Sequence, residues 1–466
     1  MKMVKKIIPK LTKEEKKRKE ARRNSIGEGI FSSAKTAFGD HYISPFAIAI
    51  NTSSSMLAML SSMAGLLGPI SQMFSSSKLM ETYSRKKIVL KSVFWGSIIW
   101  LAFITIAILF YLEIWQSVLP FILLITFSVY IIISNIPIPP WFSWMGDLVE
   151  EEHRGRFFSK RGLILSFVAV VIAISSSFFL ESLRDKNLIM IGFTTLFFLA
   201  FISKFTSWKI LKKQYEPKLK LKKGHYFSFW DFLTESKKTN FGKFAQYRFF
   251  LTFATSISSP LLAVYLLRNL NFGYSTYMII ILSGTIFSLL VLELWGKIAD
   301  KYGNYRVLGI TSLMIPLIPI LWIFNPSPIY LIFVPQLIGG ISWAGFNLSA
   351  GNFIYDNVSP QKRGFASSYY NMMLGFGIFL GAGLGALLIK FLTIEIIEPI
   401  AAIFLISTVA RIIAVTIWLP KLKEIRKTKK FRGMRTLKEI IFKEAKPTLL
   451  EEFHEIIHIK KYIISK

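Results

Sequence analysis

The chain alternates between long apolar runs and short polar interruptions. The run FWGSIIWLAFITIAILFYL, which starts at Phe94, is the plainest of the apolar runs. A helix needs about 20 apolar residues to cross the hydrocarbon core of a bilayer, and most of the runs reach that length. Inside lipid the backbone finds no water, so each run must satisfy its own peptide groups as a helix. The pattern therefore predicts an all-α membrane protein with about twelve transmembrane helices.

The twelve predicted spans are numbered in chain order. The first two are the most polar, because they are rich in Ser and Gly. Their ranges are 26–50, 54–82, 88–112, 117–147, 157–181, 187–208, 244–269, 274–299, 305–325, 328–356, 364–391 and 396–419.

Basic residues are distributed unevenly between the two sets of loops. The connections after even-numbered spans carry groups such as Arg85–Lys87 and the Lys-rich stretch 209–243, whereas the opposite connections carry few Lys or Arg. Short loops rich in Lys and Arg stay on the cytoplasmic side. We therefore expect a multi-pass protein of the cell (plasma) membrane with both termini in the cytoplasm.

The longest polar interruption divides the chain into two halves of six spans. The alternatives for it are a plain linker and a hinge between two bundles. The predicted segments are a basic cytoplasmic tail at 1–25, an N-terminal six-helix bundle at 26–208, a cytoplasmic linker at 209–243, a C-terminal six-helix bundle at 244–419 and a basic, amphipathic cytoplasmic tail at 420–466.

The composition limits the classes of binding partner and cofactor that the protein can have. The formal net charge is +30, and it lies in tails and loops between apolar runs, which favours anionic membrane lipids over nucleic acid. The chain has no Cys, which excludes disulfides and thiol catalysis. No phosphate-binding G-x-x-x-x-G-K-[ST] loop is present, which argues against an ATP-driven pump. We expect no cofactor, no bound metal and a monomer.

An internal repeat connects the two halves. At the end of span 4, Asp147 is followed seven residues later by Arg154, and at the end of span 10, Asp356 is followed seven residues later by Arg363. A second pair of phrases lies at the ends of spans 8 and 2. The later copy contains Gly296, Asp300, Gly303 and Arg306, and the earlier copy has Glu81, Ser84 and Lys87 where Asp300, Gly303 and Arg306 stand. Two phrases in the same order predict parallel repeats related by an axis along the membrane normal.

On these residues the sequence resembles the major facilitator superfamily. The stretch Gly296–Arg306 looks like that family's signature loop, Gly-x-x-x-Asp-x-x-Gly-x-x-(x)-Arg, although the clearer copy here lies in the second half. The resemblance covers about residues 26–420. It implies two pseudo-symmetric six-helix bundles around a central cavity, and a secondary transporter that moves a small solute by rocking alternating access as a symporter or antiporter.

The loop charges are candidates for gating. A carboxylate at the end of a helix can pair with a basic residue and meet the positive N-terminus of a neighbouring helix, forming a latch that must open during transport. The alternative is solvated loop charge that only obeys the positive-inside rule. The gating candidates are Asp300, Arg306, Gly296, Gly303, Asp147, Arg154, Asp356, Arg363, Glu81 and Lys87.

Polar residues inside spans are candidates for a solute or proton cavity, because ionisable groups in lipid usually face a polar interior. In span 1, His41 stands next to Asp40 and is favoured for proton coupling, since imidazole titrates near neutral pH. Sodium coupling is the other possibility. Amides and indoles in spans 4 and 10 suit an uncharged or cationic solute, or else serve as interfacial belts and interhelical contacts. The cavity candidates are Asp40, His41, Asn135, Trp144, Gln336, Trp343 and Asn347.

Two further motifs have other interpretations. Gly377, Gly381 and Gly385 recur every four residues in span 11 and predict a close-packing face. In the C-terminal tail, HEIIH matches the H-E-x-x-H pattern of zinc proteases, but the surrounding sequence favours an amphipathic helix on the membrane surface. The competing functions are therefore a transporter, a non-transporting receptor or scaffold with the same fold, and a membrane metalloprotease. We expect a transporter and no enzyme.

Overall fold

The computed structural model describes residues 13–79, 82–149, 151–217, 229–358, 363–392, 398–426 and 428–429. Across these residues the regular structure is helical, and no strand occurs among them. The all-α prediction is confirmed.

The first span differs from its predicted bounds. Its helix, α1, runs over Lys13–Phe38 and is followed by a tight turn, Asp40–Tyr42, and a short helix, Ile43–Ala49. The chain turns after Gly39 where it passes the buried indole of Trp100, and a Cβ at Gly39 would lie 2.6 Å from Cζ2 of that ring. The close approach to Trp100 therefore requires a glycine at this turn.

Eleven helices in the described part of the chain are long and apolar enough to cross a membrane, and they correspond one to one to predicted spans 2–12. Helix α1 is absent from this set, in agreement with its many charged residues. The spanning portions are α2 Ser54–Phe74, α3 Arg85–Tyr111, α4 Leu119–Leu148, α5 Phe157–Arg184, α6 Ile189–Lys213, α7 Asn240–Asn269, α8 Tyr274–Tyr302, α9 Asn304–Phe324, α10 Pro328–Asn357, α11 Ala366–Phe391 and α12 Pro399–Lys421.

Prolines account for breaks inside two of these spans. Helix α4 consists of Leu119–Asn135 and Ile138–Leu148, with Pro137 at the junction. Helix α9 consists of Asn304–Met314 and Leu317–Phe324. A proline removes one backbone donor and clashes with the carbonyl four residues earlier, so it bends or breaks a helix. A further short helix, Phe229–Glu235, precedes α7.

The chain divides into two compact units. Unit 1 contains the described residues of Met1–Ile50 and Ile70–Lys222, and unit 2 those of Asn51–Pro69 and Lys223–Lys466. The same helix pairs are in contact in each: α1 with α5 and α6, and α3 with α4 and α6, in unit 1; α7 with α11 and α12, and α9 with α10 and α12, in unit 2. This correspondence agrees with the predicted repeat.

The unit boundary falls inside α2, between Pro69 and Ile70. The first part of α2 is held by α11: Ser55 Oγ donates to the carbonyl of Ala386 at 2.8 Å, and Ser62 Oγ donates to that of Phe379 at 2.8 Å. By its contacts, residues 51–69 thus belong with the C-terminal helices rather than with the helices nearest in sequence.

The glycines of α11 face the backbone of α7. A methyl group added at Gly377 would lie 2.8 Å from the carbonyl oxygen of Phe249, and one added at Gly381 would overlap the carbonyl of Phe253. Gly385 meets α7 one turn further on, at Ile257. The predicted close-packing face is confirmed, because no larger residue fits without separating the two helices.

Candidate functional site

A buried arginine organises the ends of α3, α4 and α6 in unit 1. Arg85, the first residue of α3, is 1% exposed. Its Nη1 donates to Asp147 Oδ2 at 2.6 Å and to Ser143 Oγ at 3.0 Å, and its Nη2 donates to the carbonyl of Pro217 at 3.0 Å. Its Nε lies 3.6 Å from Glu216 Oε1. The guanidinium therefore joins three helix ends by charge-assisted contacts.

An equivalent arrangement occurs in unit 2. Asn304, the first residue of the α9 span, is fully buried, and its Nδ2 donates to Asp356 Oδ2 at 2.7 Å. Asn352 Nδ2 donates in turn to Asn304 Oδ1 at 3.3 Å. The acid at the end of α10 thus binds the first residue of α9, just as the acid at the end of α4 binds the first residue of α3.

The repeat extends to a glutamate that follows the sixth helix of each half. In unit 1, the backbone N–H of Lys86 donates to Glu216 Oε1 at 3.2 Å. In unit 2, the backbone N–H of Tyr305 donates to Glu424 Oε2 at 2.9 Å. Each carboxylate binds the positive N-terminus of the third helix of its own half, a favourable site for an anion. We call these the unit 1 cluster (Arg85, Asp147, Glu216) and the unit 2 cluster (Asn304, Asp356, Glu424).

The remaining gating candidates of the second half lie next to the unit 2 cluster. Gly303 joins α8 to α9 with a φ of +94°, a conformation that favours glycine, and a Cβ there would overlap the Glu424 carboxylate. Asp300 is 79% exposed and lies 3.8 Å from Arg426 Nη2. Arg306 is on the first turn of α9, and Gly296 lies inside α8. Asp300 is therefore paired with the segment after α12, not with Arg306.

Three gating candidates cannot be placed in contacts. Glu81 lies outside the described residues, and Arg154 and Arg363 stand in helices whose side chains at those positions are not described. Lys87 is exposed and stacks its ammonium on the ring of Tyr83 at 5.1 Å. Among the basic residues at the start of α3, it is Arg85 that binds the acid of span 4.

In unit 1 an ion pair lies at the turn after α1. Lys35 Nζ is 2.7 Å from Asp40 Oδ2, which also accepts from Thr36 Oγ1 at 3.0 Å. The hydroxyl of Tyr130 donates to the other oxygen of Asp40 and accepts from Lys35 Nζ at 3.1 Å. Asp40 is thus the centre of a network that joins α1 to α4. The adjacent His41 makes no hydrogen bond to any described residue.

A second ion pair lies further along α1. Glu28, 5% exposed, accepts from Arg161 Nη2 of α5 at 3.3 Å and from Ser207 Oγ of α6 at 3.1 Å. Lys204, one turn before Ser207, is repelled by Lys35 and attracted by Glu28 and Asp40. Charged groups from three helices therefore form a network in the interior of unit 1.

The other cavity candidates of unit 1 are held by neighbouring helices. Asn135 Oδ1 accepts from Gln72 Nε2 at 2.8 Å, across to α2. Trp144 is fully buried among apolar side chains, and its indole N–H donates to the carbonyl of Tyr215 at 2.9 Å. Trp144 thus anchors the segment after α6, which is a packing role.

Unit 2 contains a cavity of about 440 Å³. Two predicted residues line it, Gln336 and Trp343, whereas Asn347 is exposed and lies outside it. The buried Arg411 of α12 lines it as well. The lining residues are Thr255, Ser258, Ser259, Leu262, Ile281, Gly284, Thr285, Ser288, Ile318, Pro319, Trp322, Pro335, Gln336, Gly339, Gly340, Trp343, Phe404 and Arg411.

Sequence reasoning missed three groups that the fold makes prominent. Arg85 was counted as a loop charge, while Arg161 and Arg411 were not singled out. The signal for Arg411 was available, because an arginine in the middle of an apolar span is costly and marks a polar interior. Arg85 carried no such signal, since its burial depends on the segment after α6.

The metalloprotease motif, His454, Glu455 and His458, lies outside the described residues. Over the part of the chain that the structure describes, no group of three or more His, Cys, Asp or Glu residues could hold a metal ion.

Comparisons with known proteins agree with this fold. Residues 244–454 match the profile of the Major Facilitator Superfamily. No curated protein matches the chain. Solved structures with a similar fold include a variant of the nucleoside transporter NupG, with 14% identity, a TM-score of 0.68 and coverage of 86% of this chain and 100% of that chain.

Two further solved structures show the same likeness. A bacterial homologue of the iron transporter ferroportin in an inward-facing state has 14% identity, a TM-score of 0.64 and coverage of 86% and 98% of the two chains. An auto-inhibited peptide transporter of the POT family has 11% identity, a TM-score of 0.64 and coverage of 88% and 99%. The shared feature is the fold, since the three proteins are named for different solutes.

Proposed function

We propose that this chain is a membrane transporter that moves a small solute by secondary active transport with rocking alternating access, and its likeness in fold to solved major facilitator transporters supports the proposal. The observation that carries the proposal is the charged network inside unit 1, where Asp40, Lys35 and Tyr130 join α1 to α4. Buried ionisable groups are costly, and inside the membrane domain of transporters they mark ion pathways and proton relays.

The contacts favour Asp40 over His41 as the coupling residue. A carboxylate held by Lys35, Thr36 and Tyr130 changes its interactions with two helices when it gains a proton or binds a sodium ion. His41 has no comparable connection in the described structure. Titration of Asp40 can thus bias the packing of α1 against α4, whereas His41 makes no hydrogen bond to a described residue of another helix.

The unit 1 and unit 2 clusters are the proposed gating elements. Each places one carboxylate on a helix N-terminus and a second on the first residue of that helix. Such contacts have one favourable geometry, so they stabilise one arrangement of the helix ends and are lost when those ends separate. This gives a physical basis for two conformational states.

The test uses the full chain in proteoliposomes. A thermal-shift screen against a solute library identifies a solute, and its accumulation is then measured under an imposed pH or sodium gradient. Asp40→Asn should abolish gradient-driven accumulation but retain exchange of labelled for unlabelled solute, because exchange requires no net ion movement. Asp185→Asn, at an exposed position, is the matched control and should accumulate solute like the parent.

His41→Ala should also accumulate solute like the parent if Asp40 is the coupling residue. Loss of accumulation in His41→Ala together with normal accumulation in Asp40→Asn would reverse the assignment. Absence of gradient-driven accumulation and of exchange, for a solute that binds the parent protein, would contradict transport and favour a non-transporting receptor with this fold.

A further inference from the structure

Arg411 is a buried cation near the middle of an apolar helix. It lies on α12 and is 5% exposed. Its Nε donates to Ser407 Oγ at 3.2 Å, and its Nη1 donates to the carbonyl of Ile315 at 3.1 Å. Its Nη2 donates to Ser258 Oγ at 3.2 Å and to the carbonyl of Thr255 at 3.5 Å. All four acceptors are neutral.

One of these contacts has a structural explanation. Within a continuous helix the carbonyl of Ile315 would accept from the N–H of residue 319, which is a proline and has none. Where α9 is broken, this carbonyl accepts instead from the N–H of Ile318 at 3.3 Å and from Arg411. A neutral donor such as an amide could satisfy that carbonyl equally well, so this contact does not explain why a charge is buried here.

The charge of Arg411 is not neutralised by the protein. No described carboxylate lies within ion-pair distance of its guanidinium, whereas Arg85 is paired with Asp147 and Arg161 with Glu28. Burying a charge without an ion-pair partner is unfavourable even when neutral groups hydrogen-bond to it. An anion bound nearby would offset that cost.

The cavity beside Arg411 presents further donors. Gln336 and Trp343 both line it, and neither side chain hydrogen-bonds to a described residue. An amide N–H₂ and an indole N–H are therefore available, together with the guanidinium, and none of the residues lining the cavity is acidic. Its volume of about 440 Å³ is in the range of small-molecule pockets.

Glycines keep the wall between α8 and α10 thin at this cavity. A Cβ at Gly340 would lie 2.6 Å from the carbonyl oxygen of Gly284, and Ser288 Oγ donates to the carbonyl of Gly340 at 2.9 Å. A Cβ at Gly284 would overlap the amide oxygen of Gln336. Larger residues at these positions would displace Gln336 and alter the cavity.

We propose that the cavity of unit 2 binds the anionic group of a small organic solute, a carboxylate or a phosphate monoester, on Arg411, with Gln336 and Trp343 as neutral donors. This inference rests on the proposed transport function and names the chemical class of its solute. It reverses the expectation of an uncharged or cationic solute, because the indole and the amide line the same space as an unpaired guanidinium.

The test measures binding to the purified full chain without requiring flux. The probes are matched pairs: benzoate with benzamide, glutarate with glutaramide, and glucose 6-phosphate with glucose. Thermal shift and quenching of tryptophan fluorescence report binding, since Trp322 and Trp343 both line the cavity. We expect saturable binding of at least one anion, and binding of its neutral partner at least tenfold weaker.

Variants then assign the site. Arg411→Gln should weaken binding of the anion at least tenfold, and Arg411→Lys should retain part of the affinity because it keeps the charge. Trp343→Phe, which removes the indole N–H and keeps an aromatic ring, should weaken binding severalfold. Lys390→Gln, at an exposed cation of α11, is the matched control and should bind like the parent.

Three results would overturn the inference: no saturable binding of any anion in the panel, equal binding of the neutral partners, or unchanged affinity in Arg411→Gln. If Arg411→Gln does not fold, Arg411→Lys and Trp343→Phe take its place, and unchanged affinity for the anion in both variants would overturn the inference. Anion binding at Arg411 without flux would contradict transport and leave this site standing. Flux of a neutral solute without anion binding would support transport and contradict the anion site.

Discussion

Replacement of Arg85 by Met tests whether the unit 1 cluster holds the helix ends together. The side chain is 1% exposed and makes three hydrogen bonds, to Asp147, Ser143 and the carbonyl of Pro217. Methionine fills similar volume but makes none of them. We expect unit 1 to lose stability where α3, α4 and the segment after α6 meet.

The stability lost in Arg85→Met depends on how exposed each hydrogen-bond partner of Arg85 is. Asp147 is 42% exposed and regains water when the arginine is lost, so its share is about 1 kcal/mol, as for a surface pair. The carbonyl of Pro217 bonds in a buried position, and leaving it unsatisfied costs about 1–3 kcal/mol. Removing the buried cation relieves part of its desolvation cost. The net loss is about 2–3 kcal/mol, or about 5–10 °C in the unfolding midpoint of a unit of this size.

The assay is thermal unfolding of the full chain in detergent, with two comparisons. Asn304→Ala removes the equivalent neutral side chain in unit 2 and should cost about 1 kcal/mol, or about 2–4 °C. Lys87→Met removes an exposed cation from the same helix and should change the midpoint by about 2 °C or less. The reasoning is refuted if Arg85→Met lowers the midpoint no more than Lys87→Met does.

The remaining predictions concern packing and topology. Gly381→Ala should destabilise the chain by about 1–3 kcal/mol, because its methyl group would overlap the backbone of α7, whereas Gly309→Ala, with open space around it, should be neutral or stabilising. Thermal unfolding measures both stability changes, and equal changes in the two variants would contradict the close-packing face. Cysteines introduced at Lys222 and Ser327 of this cysteine-free chain should react with an impermeant maleimide from opposite sides of the membrane; labelling from one side would contradict the twelve-span topology.

The extent of the membrane-spanning fold could be predicted from the sequence, because it depends on local and additive quantities. An apolar run of sufficient length must be helical in lipid whatever its neighbours are, and eleven of the predicted spans are found close to their predicted ranges. The repeat was also accessible, since Asp147 and Asp356 occupy equivalent places in the chain. Glycine spacing identified the packing face of α11 by the same local logic.

The partners of the charged residues could not be predicted, because they depend on which helix ends meet. Asp147 binds Arg85, which is 62 residues away in the chain, and Asp300 pairs with Arg426 beyond α12. Span 1 was displaced for a similar reason, since the turn after Gly39 depends on the buried ring of Trp100.

The sequence by itself determined which segments are apolar enough to lie in lipid and which remain in water. It also determined that the apolar segments are helical and that the two halves repeat each other. Only the tertiary structure decided which charges are compensated. Charge compensation is a property of distances of a few ångströms between residues far apart in the chain, and burial sets its energetic weight. In the sequence, Arg411 is therefore only one polar residue in an apolar run. In the fold it is buried beside a cavity, and no described carboxylate neutralises it.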